Sequence, residues 1–283
     1  MKSTLIEVCA GGFEDCLTAD AAGIKRVELN SAMALGGLTC TAATLRKVKT
    51  HTKLEVICMV RPRGSGFCYD TPELEIMFEE ARALLEAGAD GIAFGMLEAN
   101  GTIQKEEVKK MVDLIHAYGK TAVFHRAYDV SIDPYQSIET LIECGVDRLL
   151  TSGMEETAIQ GMELIRQLQK RYGTKIEILP GGGINDQNIE PFLRYTGVRQ
   201  IHSSCRSYRF DPTTKLGRVD FSMYPQEHSM DYEIVSTRKL QKLIDRLTAF
   251  IIFICEKSRE SGFFRLQKEK RPVETSLGRD GKS

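Results

Sequence analysis

LIEVCAGGFEDCLTADAAGIKRVELN, residues 5–30, contains one complete structural repeat. Leu5 to Cys9 is a short apolar run of the kind that fills a strand, Glu14 to Ala22 has helical spacing, and Arg26 to Asn30 is a second strand. Gly23 falls between helix and strand, where a left-handed residue stops a helix. The same alternation continues down the chain. Further strands are expected at Glu55 to Val60, Gly91 to Gly95, Thr121 to His125, Arg148 to Thr151, Ile176 to Pro180 and Gln200 to Ser203. Helices are expected at Ala42 to Thr50, Pro72 to Ala87, Glu106 to Tyr118, Tyr135 to Glu143, Thr157 to Arg171 and Ile189 to Tyr195, with Gly88 and Gly145 ending two of them. Eight strands with helical crossovers in about 200 residues predict an α/β protein of the (β/α)8 TIM-barrel type. An open Rossmann sheet would carry G-x-G-x-x-G after its first strand, and Ala10-Gly-Gly-Phe13 does not match.

The barrel is expected to occupy residues 1–247, ending in a helical stretch from Tyr232 to Leu247. Residues 248–283 read as a C-terminal extension with a net charge of +3, loose beyond Gly262. Its apolar run Ala249 to Cys255 is too short to span a bilayer and reads as a helix end packed on the barrel wall, with a partner-binding patch as the alternative. Across the 283 residues 38 Lys and Arg face 39 Asp and Glu, so nothing suggests a phosphate-neutralising nucleic-acid surface. No membrane span or leader is apparent, and the eight cysteines form no C-x-x-C pair, which predicts a cytoplasmic protein with reduced thiols.

Barrel chemistry sits at the carboxyl ends of the strands, and alternate strand residues point inward. That phase brings Glu7, Glu28, Arg61, His125 and His202 to one mouth. Five ionisable groups are expensive to bury together without a ligand. The bland alternative is a closed salt-bridge network with Arg61 between Glu7 and Glu28. Gly181, Gly182 and Gly183 after the seventh strand and Ser203 and Ser204 after the eighth stand where barrels commonly hold phosphate, and Thr151 and Ser152 add hydroxyls. The loop Arg61-Pro-Arg63-Gly-Ser-Gly-Phe67 directs two cations at the mouth as a candidate lid, and Arg126 follows His125, a candidate general acid or base. Cys9 and Met59 supply soft sulfur beside two imidazoles, a set that suits Cu(I) better than Mg2+.

Ile6-Glu-Val-Cys9, Arg26-Val-Glu-Leu-Asn-Ser31, Ala34-Leu-Gly-Gly-Leu-Thr39, Met59-Val-Arg-Pro-Arg-Gly64, Gly91-Ile-Ala-Phe-Gly95, Phe124-His-Arg-Ala127, Leu149-Leu-Thr-Ser-Gly153, Leu179-Pro-Gly-Gly-Gly183 and His202-Ser-Ser204 together resemble the CutC copper homeostasis family. The resemblance implies a TIM barrel, a cytoplasmic homo-oligomer (dimer or tetramer), a role in copper homeostasis, and Cu(I) held by cysteines near the tops of the first two strands. Cys9 stands at the first of those positions and Asn30 at the second, so a two-thiolate site is not available here. Two functions stay open. One is Cu(I) binding at Cys9 with Met59 or a histidine. The other is an enzyme in which the glycine run and serines hold the anion of a phosphorylated or carboxylated metabolite, Arg61 neutralises charge, and His125 moves protons with Glu7 or Glu28.

Overall fold

The computed structural model describes residues 4–268, with side chains through residue 254. Strands and helices alternate as β1 (Leu5–Ala10), α1 (Phe13–Ala21), β2 (Arg26–Leu29), α2 (Ala42–His51), β3 (Glu55–Met59), α3 (Thr71–Glu86), β4 (Gly91–Phe94), α4 (Lys105–Ala117), β5 (Thr121–Phe124), α5 (Pro134–Cys144), β6 (Arg148–Thr151), α6 (Met162–Tyr172), β7 (Glu177–Pro180), α7 (Ile189–Thr196) and β8 (Gln200–Ser203). Hydrogen bonds order the strands β7-β6-β5-β4-β3-β2-β1-β8, all parallel, and β7 lies against β8. The sheet therefore curls round on itself as a (β/α)8 barrel, the architecture expected from the repeat.

Strand phase divides the core in two. Val8, Val27, Leu29, Val56, Ile92 and Phe124 face outward and are buried under the helices. Ile57, Met59, Ala93, Val123, Leu150 and Leu179 form a separate apolar cluster inside the barrel. Apart from Ala93, each such side chain contributes about 1.5–3 kcal/mol on burial. Gly23, Gly88 and Gly145 have φ of 82°, 99° and 84°, the left-handed conformation expected where each helix stops. Helix α6 starts at Met162 rather than Thr157, because the Ala158 amide donates to the Gly182 carbonyl at 2.8 Å and ties that segment to the loop after β7.

After β8 the chain adds β9 (Arg206–Phe210), the short β10 (Lys215–Leu216) and β11 (Val219–Asp220), then β12 (Asp231–Val235) and α8 (Thr237–Lys268). The helix expected from Tyr232 is thus a strand as far as Val235. It pairs antiparallel with β9, and the Val235 amide is held by the Asp15 carboxylate of α1 at 2.8 Å. Helix α8 passes residue 247 without a break and buries Leu240, Leu243, Leu247 and Phe250. Arg194 of α7 lies over the rings of Phe250 and Phe253 at 4.8 and 4.9 Å, so this part of the apolar run packs on the barrel wall. The helix also continues through Gly262, where a loose tail was expected. From residue 269 onward the expected tail lies outside the described residues.

Candidate functional site

The parallel register sets the chemistry of the barrel mouth. Glu7 of β1 stands opposite Arg26 of β2 on one side and His202 of β8 on the other. Arg26 Nε donates to Glu7 Oε2 at 2.5 Å, and His202 Nδ1 lies 2.9 Å from Glu7 Oε1. Burial opposes the charge on Glu7. It is outweighed by the His202 hydrogen bond and by the charges of Arg26, His202 and Arg148, which hold the carboxyl down at about 2. Burial likewise works against a charged His202, but contacts with Cys9, Glu7 and Glu28 raise the imidazole well above its ordinary value. The two form a buried ion pair.

One step up the strands, Cys9 stands opposite Glu28. The Cys9 thiol donates to Glu28 Oε2 at 3.8 Å, and Asn30 Nδ2 donates to Cys9 Sγ at 3.5 Å and to Glu28 Oε2 at 3.0 Å. Burial pushes both the Cys9 thiol and the Glu28 carboxyl up. Ligand atoms of Cys9, Glu28 and His202 all lie within 4.8 Å of one another, the one such His, Cys, Asp or Glu group among the described residues. Of the two partners expected for Cys9, the histidine is the one in this cluster. Met59 sits in the apolar layer inside the barrel and borders the same cavity.

Arg61 does not bridge Glu7 and Glu28 as the salt-bridge alternative required, because Arg26 and His202 have taken Glu7. Its guanidinium donates instead to the carbonyls of Leu35, Gly36, Gly37 and Ser65, and Nε is buried without a partner. His125 is also buried, and a side chain at Gly95 would come within 2.5 Å of its ring. The Ala127 amide donates to His125 Nδ1 at 3.1 Å, and burial together with the Arg61 charge lowers the imidazole to about 3. His125 is therefore neutral with its proton on Nε2. It is a fixed hydrogen-bond donor rather than a base ready to accept a proton near neutrality.

Other expected residues are engaged elsewhere. Arg63 turns away from the mouth to pair with Glu73 and lie over Tyr69. Thr151 and Ser152 donate to the Asp129 carboxylate, which also takes Arg126 Nε at 2.8 Å. Ser203 Oγ donates to the Ile184 carbonyl at 2.7 Å, and the Gly181 amide donates to the Thr151 carbonyl at 2.9 Å. Of the expected anion-holding group, Gly182, Gly183, Ser203, Ser204 and Arg126 border a cavity of about 830 Å3. Glu28, Arg61, His125 and His202 share it with Cys9, as the strand phase predicts, but Glu7, held between Arg26 and His202, is not among the residues that border it. Sequence reasoning missed Arg26, which carries the Glu7 pair, although it has the same inward phase as Glu28. It also missed Glu233, Lys239 and Lys242, which reach the cavity from β12 and α8. The alternation in Arg206 to Phe210 and Asp231 to Val235 was the available signal for that hairpin.

Fold and site together define a (β/α)8-barrel protein with a polar cavity at the carboxyl ends of its strands. The chain belongs to the CutC family, whose family model matches residues 4–207. It is 43% identical over 250 residues to a family protein CutC of Treponema denticola, covering 87% of this chain and 100% of that protein. A copper homeostasis protein cutC homolog of Mus musculus is 39% identical over 205 residues, 72% of this chain and 75% of the mouse protein. The crystal structure of the putative copper homeostasis protein CutC from Streptococcus agalactiae superposes with a TM-score of 0.67 at 32% identity, covering 71% of this chain and 98% of that one.

Proposed function

We propose that the protein serves copper homeostasis in the cytoplasm by holding Cu(I) between Cys9 Sγ and His202 Nε2. The observation that carries this reading is the clustering of Cys9, Glu28 and His202 ligand atoms within 4.8 Å of one another. Cu(I) favours thiolate sulfur and accepts imidazole, while a carboxylate is a poor ligand for so soft an ion. Cys9 and His202 are thus the ligands. Glu28 sits beside both, 3.8 Å from the sulfur and 4.0 Å from His202 Nε2, where it can take one of the two protons that copper displaces from Cys9 and His202, the other leaving to solvent through the cavity. Asn30, standing where the family resemblance implies a second cysteine, donates to the sulfur and supports it as thiolate.

A cytoplasmic location is supported by seven free cysteines among the described residues. No helix of the described residues is long and apolar enough to cross a membrane. A homo-oligomer is supported by the exposed apolar side chains of Phe210, at the end of β9, and of Leu216, Val219, Phe221 and Met223, which follow it before β12.

X-ray absorption at the copper edge tests the ligand set on the reduced chain loaded with one equivalent of Cu(I). A shell of one sulfur and one nitrogen is expected. A sulfur-only shell, or copper lost on desalting, would overturn the assignment.

A further inference from the structure

Arg61 is a buried cation whose charge no carboxylate among the described residues balances. It is 7% exposed, and its four bonds from Nη1 and Nη2 all end on backbone carbonyls. Carbonyl dipoles orient a guanidinium but bring no negative charge, and burying an uncompensated charge is costly. Beside it stands His125, 3% exposed, whose proton is fixed on Nε2 by the Ala127 amide at Nδ1. Arg61 Nε and His125 Nε2 are both buried donors without a partner. Phe67 joins the two, its ring centroid 5.0 Å from the guanidinium carbon and 5.1 Å from the imidazole centroid. Arg61, His125 and Phe67 all border the 830 Å3 cavity, which has room for a small metabolite.

We propose that the protein binds a small organic acid through one carboxylate group, seated against Arg61 Nε and His125 Nε2 with the Phe67 ring over it. The stoichiometry of the wall selects the ligand. One unbalanced positive charge matches one carboxylate, and two free N–H donors match its two oxygens. A phosphate dianion would bring a second negative charge, which the single unbalanced cation of this wall does not match. The Phe67 ring lies along both donors and shifts aside to admit the acid. Its loop carries Gly64 and Gly66 on either side of Ser65, whose φ is +63°. This site is independent of copper and uses neither Cys9 nor His202.

The test follows the ring nitrogens of the reduced, metal-free full chain labelled with 15N-histidine. The chain has five histidines, so His125 is readily resolved. Acetate, lactate and pyruvate are titrated at constant ionic strength, with inorganic phosphate as the comparison. At least one acid is expected to shift the His125 Nε2–H resonance saturably, with Kd of about 10 mM or tighter. Arg61→Gln is expected to weaken that binding about tenfold or more, and Cys9→Ser to leave it unchanged. Absence of a saturable shift with all three acids would overturn the proposal. So would a shift with phosphate alone, or undiminished binding by a folded Arg61→Gln chain. Should Arg61→Gln not fold, the wild-type His125 resonance decides alone.

Discussion

Glu7 and His202 face each other across the β1–β8 seam, Oε1 of one 2.9 Å from Nδ1 of the other, with Arg26 on the opposite flank of the same carboxylate. One anion is thus shared between two cations inside the barrel. Removing it leaves two buried positive charges, and breaking a buried pair in this way costs about 3–5 kcal/mol. Glu7→Gln is expected to lower the unfolding free energy by about that amount in urea denaturation, while Arg63→Ala, at a half-exposed surface pair, changes it by less than about 1 kcal/mol.

His125 gives the fold an acid sensitivity of known sign. Its imidazole is neutral in the folded chain down to about 3 but protonates near 6.5 once unfolded. Between those limits the unfolded state binds more protons, so stability falls as pH drops from about 6.5 towards 3. Denaturation midpoints at pH 8 and pH 5 are expected to differ less in His125→Phe than in the wild type.

Asn30 Nδ2 touches the Cys9 sulfur at 3.5 Å. A second thiol at that position falls beside the first, and Cu(I) favours two soft sulfurs over one sulfur and one imidazole. Asn30→Cys is expected to bind Cu(I) about tenfold or more tightly than the wild type in competition with a chromophoric Cu(I) chelator.

The barrel and the inward phase of its strands were legible in the sequence, because apolar alternation and helix-ending glycines are local signals. That is why Glu28, Arg61, His125 and His202 meet at one cavity as expected, while Glu7, buried between Arg26 and His202, does not border it. Their partners were not legible. The alternative that set Arg61 between the glutamates rested on charge alone, whereas the register gives Glu7 to Arg26 and the turn at Leu35–Gly37 captures Arg61 with carbonyls, which carry no sequence signature. The hydroxyls of Thr151 and Ser152 were similarly claimed by Asp129, a residue of the preceding loop. The β9–β12 hairpin was hidden by its polar composition, since its strands are mostly half-exposed.

Phe221 and Met223 are 73% and 61% exposed and lie on the excursion between β9 and β12. If copies of this chain associate through that excursion, charges there are unfavourable at the contact. Phe221→Glu with Met223→Glu is expected to reduce the particle mass to that of a single chain in light scattering, with the circular dichroism spectrum unchanged.

The copper reading rests on one sulfur. Cu(I) affinity of the reduced wild-type chain and of Cys9→Ser, measured anaerobically by chelator competition, therefore tests it most directly. A loss of at least about tenfold in Cys9→Ser is predicted. Equal affinities in the two chains would contradict copper binding at the barrel mouth.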